Sequence, residues 1–192
     1  RAIVWNVTKR SPIFSVDAQP QRISKVGFTA DGAAIITAGF DGRAAKWTVG
    51  NNKAAWEIAA HDVRIHAMAL SRAAALVATG DANGVIRLHR ISDGKTVRTL
   101  PEQNYGIGSL AFGPNGERLI SSCGFDCLEG QGSRVFDVAS GRQLAHYQKH
   151  DDLVRASTVT ADGKRVITAG GRNNEIHVWD IVSAKQYARL AG

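Results

Sequence analysis

His150, Asp151 and Asp152 stand in a row, the one place where a histidine is followed directly by two carboxylates. Histidine and carboxylate together can hold a divalent metal or carry a proton, so this trio is the candidate for metal-assisted or hydrolytic chemistry. A loop Asp pair is ordinarily just solvated, and that is the expectation here. Cys123 and Cys127 lie four apart in "SSCGFDCLEG". A zinc site wants more Cys or His at close spacing. Haem attachment needs two residues between the cysteines and a following His, and this stretch has neither. Two free thiols are expected, with a local disulfide as the alternative in an oxidising compartment. No G-x-S-x-G, H-E-x-x-H or phosphate-loop glycine pattern occurs. The chain is therefore expected to be non-catalytic, with no cofactor and no metal.

The bulk figures fit one globular domain. The chain has 192 residues, 44% hydrophobic and 21% charged, with 20 Gly and only 4 Pro. No apolar run reaches membrane-spanning length; "AMALSRAAALVATG" is broken by Ser71 and Arg72. The formal net charge is +7, with 24 Lys and Arg against 17 Asp and Glu. The basic residues are scattered singly, so a nucleic-acid role is not favoured. The first residue is not Met, so the start reports no compartment; a cytoplasmic setting is the default expectation.

The elements that position these residues repeat. An aromatic or His closes a half-polar stretch in "AIVWNV" (Trp5), "AAKWTV" (Trp47), "IRLHRI" (His89), "SRVFDV" (Phe136) and "IHVWDI" (Trp179). The steps between them are 42, 42, 47 and 43 residues. Each unit divides into four alternating runs. The first runs are "ISKVGF", "IHAMAL", "GIGSLAF" and "VRASTV". The second are "AAIITAG", "AALVATG", "ERLISSC" and "KRVITAG". The aromatic run is third, and "AAWEIA", "KTVRTL", "RQLAHY" and "KQYARL" come fourth. Six Asp-Gly or Asn-Gly pairs punctuate the runs, five of them in register at the first two turns of a unit. Such pairs supply the positive φ of tight hairpins. No window holds an apolar helical stripe for three turns, so even the Ala-rich "AMALSRAAALVA" is expected to be strand. A period of about 40–45 residues with four strands per unit is the signature of a propeller.

These residues resemble the WD-repeat β-propeller family over essentially the whole chain. The most specific matches are "HVWD" in the third run, the "TADG" turns, and His61 and His150 ahead of the first run. The fold expected is all-β, a β-propeller of four-stranded antiparallel blades. The boundaries are 1–16 for the outer strands of an incomplete blade, then 17–60, 61–102, 103–149 and 150–192 for four complete blades. Such an array is a partial ring. The expectation is a seven-bladed whole, about 110 residues larger at about 42 per blade, completed by a second chain or by more of the same chain.

The resemblance also implies a buried relay in each blade, running from Trp to a Ser or Thr hydroxyl, then His, then Asp. Blade one offers Trp47, Thr37 and Asp41, with Gln19 in the His place. Blade two offers His61 and Thr79, with Asn83 for the Asp and His89 for the Trp. Blade three offers Ser121, Gln103 and Phe136. Blade four offers Trp179, Thr168 and His150, with Asn173 for the Asp. On this reading no relay is complete. Asp, His and Ser/Thr in contact imitate a hydrolase triad, but the hydroxyl would face a buried indole rather than a cleft.

The loops before the first run and between the second and third share one face. Arg22, Phe40, Arg64, His66, Tyr105, Lys149, Arg155 and Arg172 are expected there, beside an insertion over 123–133. Aromatic residues with Arg on a rigid rim are hot-spot composition. The leading expectation is a protein-interaction scaffold that binds a peptide or partner domain, acidic or phosphorylated, through this face. The alternative is a regulatory or sensor propeller domain cut from a larger multidomain enzyme. The loose, Ala-rich repeats lean toward a bacterial member.

Overall fold

The computed structural model describes residues 1–125, 127 and 132–191. All regular elements among them are β-strands. β1 (Ala2–Asn6) and β2 (Ser11–Val16) form a two-stranded antiparallel sheet. Blade one is β3 (Ile23–Phe28), β4 (Ala34–Gly39), β5 (Arg43–Thr48) and β6 (Ala54–Ala59). Blade two is β7 (Ile65–Ser71), β8 (Leu76–Asp81), β9 (Ile86–Arg90) and β10 (Thr96–Thr99). Blade three is β11 (Gly106–Phe112), β12 (Arg118–Phe125), β13 (Ser133–Asp137) and β14 (Gln143–Tyr147). Blade four is β15 (Val154–Val159), β16 (Arg165–Gly170), β17 (Glu175–Asp180) and β18 (Gln186–Leu190). Each blade is an antiparallel meander in chain order, and together they make an open, partial ring of propeller blades.

The turn chemistry explains the register. The glycine of every Asp-Gly and Asn-Gly pair sits at positive φ: Gly32, Gly42, Gly84, Gly94, Gly116 and Gly163 lie between 69° and 90°. Gly42 and Gly84 carry a second constraint. A Cβ on Gly42 would run into the His61 carbonyl, and one on Gly84 into the Gln103 carbonyl. The His61 N–H donates to the Gly42 carbonyl at 2.9 Å, and the Gln103 N–H to the Gly84 carbonyl at 3.1 Å. Each second-turn glycine thus locks onto the residue that opens the next blade.

The cores lie between blades. Trp47 packs with Ala2, Val4, Phe14 and Val16 of the two-stranded sheet. Phe136 packs into a cluster with Ile86, Leu88 and Leu100 of blade two. Trp179 sits with Ile120, Val135 and Tyr147 of blade three, stacked on Tyr147 with ring centroids 4.7 Å apart. The third-strand aromatic is therefore a wedge between its own blade and the one before it. Between blades one and two the layer is built instead from Ile36, Ala38, Ala44, Trp56, Ile65 and Val77. The inner strands touch in sequence, β3 with β7, β7 with β11 and β11 with β15. Hydroxyls tie them: Ser24 Oγ donates to the Ile65 carbonyl at 2.6 Å, and Ser109 and Ser157 Oγ lie 2.8 Å apart.

Candidate interaction face

Blade two holds an unbroken relay with His89 in the Trp place, which corrects the expectation that Asn83 would stand for the acid. His61 lies on the approach to β7. Its Nε2 is 2.8 Å from Thr79 Oγ1, and its Nδ1 is 2.8 Å from Asp81 Oδ2. Thr79 Oγ1 is 3.0 Å from His89 Nε2, and His89 Nδ1 is 3.0 Å from Thr96 Oγ1. The acid is Asp81, at the end of β8, and not Asn83, whose side chain is exposed in the turn. Asp81 Oδ1 also accepts the N–H groups of Asn83 and Val85, each at 2.9 Å. Burial pushes its carboxyl up, but the bonds from His61 and these N–H groups outweigh burial and hold it below the usual range. His89 is fully buried, and burial, with His61 and Arg87 nearby, pushes its imidazole down to about 4.

The other relays stop short. In blade one the Trp47 indole N–H donates to Thr37 Oγ1 at 3.1 Å. Gln19 does not continue the chain; its amide donates to the Arg43 carbonyl at 2.7 Å. Gln19 Oε1 and Asp41 Oδ2 are left buried without partners. In blade three Ser121 Oγ donates to Gln103 Oε1 at 3.0 Å, and Phe136 has no donor to satisfy. In blade four Trp179 donates to Thr168 Oγ1 at 3.2 Å, and His150 Nε2 lies 2.8 Å from the same oxygen. Asn173 does not take the acid's place there, because His150 Nδ1 is buried without a partner. His150 instead stacks on His177 with centroids 3.9 Å apart. His177 bridges the Tyr147 hydroxyl at 2.9 Å and Glu175 Oε2 at 2.8 Å, and Glu175 also pairs with Arg189. This buried cluster was not anticipated, although His177 and Glu175 on one strand face were its visible sign.

The trio His150-Asp151-Asp152 does not converge. His150 turns inward to Thr168, Asp151 Oδ1 accepts the Arg172 N–H at 3.0 Å, and Asp152 pairs loosely with the Arg172 guanidinium at 3.9 Å. Cys123 and Cys127 are joined by a disulfide, which corrects the expectation of two free thiols. Cys123 belongs to the core against blade two, and Cys127 packs on its edge, so proximity set by the core brings the sulfurs together. The rest of the expected insertion lies largely outside the described residues.

Of the expected rim residues, four come together. The guanidinium carbons of Arg22 and Arg64 stand 5.3 and 5.8 Å from the centroid of the Phe40 ring. His66 meets the same ring edge-on at 5.1 Å. Burial, then the charges of Arg64 and Lys25, lower the His66 pKa, with Asp81 opposing them. Arg155, from blade four, lines one cavity with His66 and Lys25, a residue not singled out from sequence. Lys149 and Arg172 are exposed but lie in the connections of blade four, apart from the Phe40 group in the contacts seen. Tyr105 is a correction: its ring is buried in the core between blades two and three, and the Arg134 guanidinium donates to its hydroxyl at 3.0 Å. Loop position alone does not tell a rim aromatic from one that drops into the layer beneath.

This architecture agrees with known proteins. The sequence profile described as "WD domain, G-beta repeat" matches residues 94–128 and 141–180. Over those residues the chain is similar to WD-repeat proteins. A WD repeat-containing protein of Schizosaccharomyces pombe is 26% identical over 93% of this chain and 46% of its own length. The nuclear distribution protein nudF of Aspergillus niger is 27% identical over 52% of this chain and 21% of its own length. The WD repeat-containing protein 91 homolog of Dictyostelium discoideum is 26% identical over 59% and 14%. The chain thus spans less than half the length of these curated relatives. A computationally designed protein, Ika8, superposes with a TM-score of 0.83 over 99% of this chain and 55% of its own, at 19% identity, a likeness of fold. These natural relatives are eukaryotic, so the bacterial leaning finds no support. WD-repeat domains generally act as protein-interaction scaffolds.

Proposed function

We propose that this chain is a non-catalytic scaffold that docks an acidic peptide or partner domain on the loop face of blades one and two. The observation that supports this most is the Phe40 ring, flanked by Arg22 and Arg64 and met edge-on by His66. Two guanidinium groups held against a ring are ordered before a partner arrives, so less side-chain entropy is lost on binding. Arg forks suit carboxylate and phosphate, and Phe40 supplies apolar area at the centre. Neither Arg22 nor Arg64 has a carboxylate partner among the described residues. The blades beneath are a rigid platform, held by the core layers and by the locked second turns.

The test is quantitative affinity capture from cells of the source organism. It compares the unaltered protein, an Arg22→Ala/Phe40→Ala/Arg64→Ala variant, and Arg72→Ala in a turn on the opposite face. The triple variant is expected to lose about tenfold or more of its specific partners, while Arg72→Ala keeps them. The same partner set on all three proteins would refute the reading.

A further inference from the structure

We infer that the cavity below this rim is a phosphoryl-binding pocket, which takes the phosphoserine or phosphothreonine side chain of a docked peptide. This rests on the reading of the face as a docking surface. The cavity, of about 360 Å³, opens where the inner strands begin. Its lining draws on three blades: the cations Lys25 from β3 and Arg155 from β15, with the imidazole of His66 from β7 between them. Among the described residues, no carboxylate lines the cavity. Arg22 and Arg64 stand beside it, and their charges, after burial and together with Lys25, disfavour protonation of His66. Asp81 is the acid that opposes them, and it is already engaged by His61 and two backbone N–H groups.

The floor of the pocket is backbone. Gly108 and Gly124 also line the cavity, and a Cβ on either would strike the Cα of the other. They lie where the β11–β12 register shifts. No side chain can therefore grow into the space without parting the two strands.

Charge and shape select the ligand. A phosphoryl group brings about −1.5 to −2 charge at neutral pH and three acceptor oxygens. That matches three donors arriving from three directions better than a carboxylate, with one charge and two oxygens. The volume is at the small end for ligand sites, room for one head group on a side chain rather than for an extended surface.

The experiment uses three immobilised degenerate peptide pools, identical except for a fixed central residue: phosphoserine, serine or glutamate. The phosphoserine pool is expected to be retained about tenfold more than either other pool. Lys25→Gln and Arg155→Gln, both at exposed side chains, should bring that ratio to about twofold or less without a change in melting temperature. Phe40→Ala should lower retention of every pool, and inorganic phosphate should compete with the phosphoserine pool. If Phe40→Ala weakens binding but the three pools are retained equally, the docking face stands and the pocket inference falls. If the phosphoserine pool binds and neither pocket variant reduces its preference, the phosphate sits elsewhere and the inference again falls. If the phosphoserine pool is not retained, the inference is overturned; if no pool binds and Phe40→Ala changes nothing, the docking reading goes with it.

Discussion

Asp81 holds His61 with one carboxylate oxygen and two turn N–H groups with the other. Removing a buried acceptor leaves each of its donors with a desolvation cost. Asp81→Ala is therefore expected to destabilise the protein by about 3 kcal/mol, whereas Asn83→Ala, at an exposed side chain, should cost under about 1 kcal/mol. Urea unfolding of the two variants checks this, and equal losses would return the role to Asn83. Acid sensitivity belongs to the same scale. His89 and His150 are buried, and burial is the main cause that pushes both down to about 4 from 6.5. Below pH 6.5 the unfolded chain takes up protons that the folded chain refuses. Stability from these two groups is thus full above pH 6.5, falls as pH drops toward 4, and changes no further below it. For His89 the total is on the order of 3 kcal/mol. His89→Phe should flatten the pH dependence of the unfolding free energy across that window; an unchanged slope would show that His89 is not kept neutral.

At the scale of elements, the backbones of Gly108 on β11 and Gly124 on β12 approach closely. A methyl at Gly108 meets the Gly124 Cα, which cannot rotate away as a side-chain tip could. Gly108→Ala should cost about 2 kcal/mol through a shifted strand pairing. Gly113→Ala meets nothing nearer than 3.6 Å and should be nearly neutral. Thermal unfolding compares the two, and matching melting temperatures would mean the approach is not held. The strands themselves were legible in the sequence, because Asp-Gly and Asn-Gly turns recur in phase with alternating runs. "ISKVGF", "GIGSLAF", "VRASTV" and "AAWEIA" are each a strand end to end. The relay was legible in part. Trp47 with Thr37 and Trp179 with Thr168 follow from register, since each Thr stands two residues beyond the one opposite the Trp and so lies diagonally across on the same face. Asp81 was not legible, because it stands two residues before the expected position and reaches the same His from the strand end. Nor was the depth of Tyr105, which register places on a loop but packing draws into the core. The Cys123–Cys127 bond depends on where the core sets two sulfurs, and spacing alone left it open.

At the scale of the whole molecule, the blades turn one period of sequence into one wedge after another. Each blade adds a loop to the same face, so residues 42 positions apart become neighbours: Arg22 and Arg64 flank one ring although each opens a different blade. That convergence is the basis of the account, because a docking surface made from several blades needs all of them in place. The outer face differs. Trp5, in the two-stranded sheet, is 55% exposed, while Trp179, its counterpart wedged against blade three, is fully buried. The most direct measurement is site-specific photo-crosslinking in cells, with a photoreactive phenylalanine analogue at Phe40 and, separately, at Arg72 on the opposite face. The account predicts discrete protein adducts from position 40 that the Arg22→Ala/Arg64→Ala background abolishes, and none of those adducts from position 72. The same adducts from both positions, or adducts at position 40 that survive loss of both arginines, would contradict it.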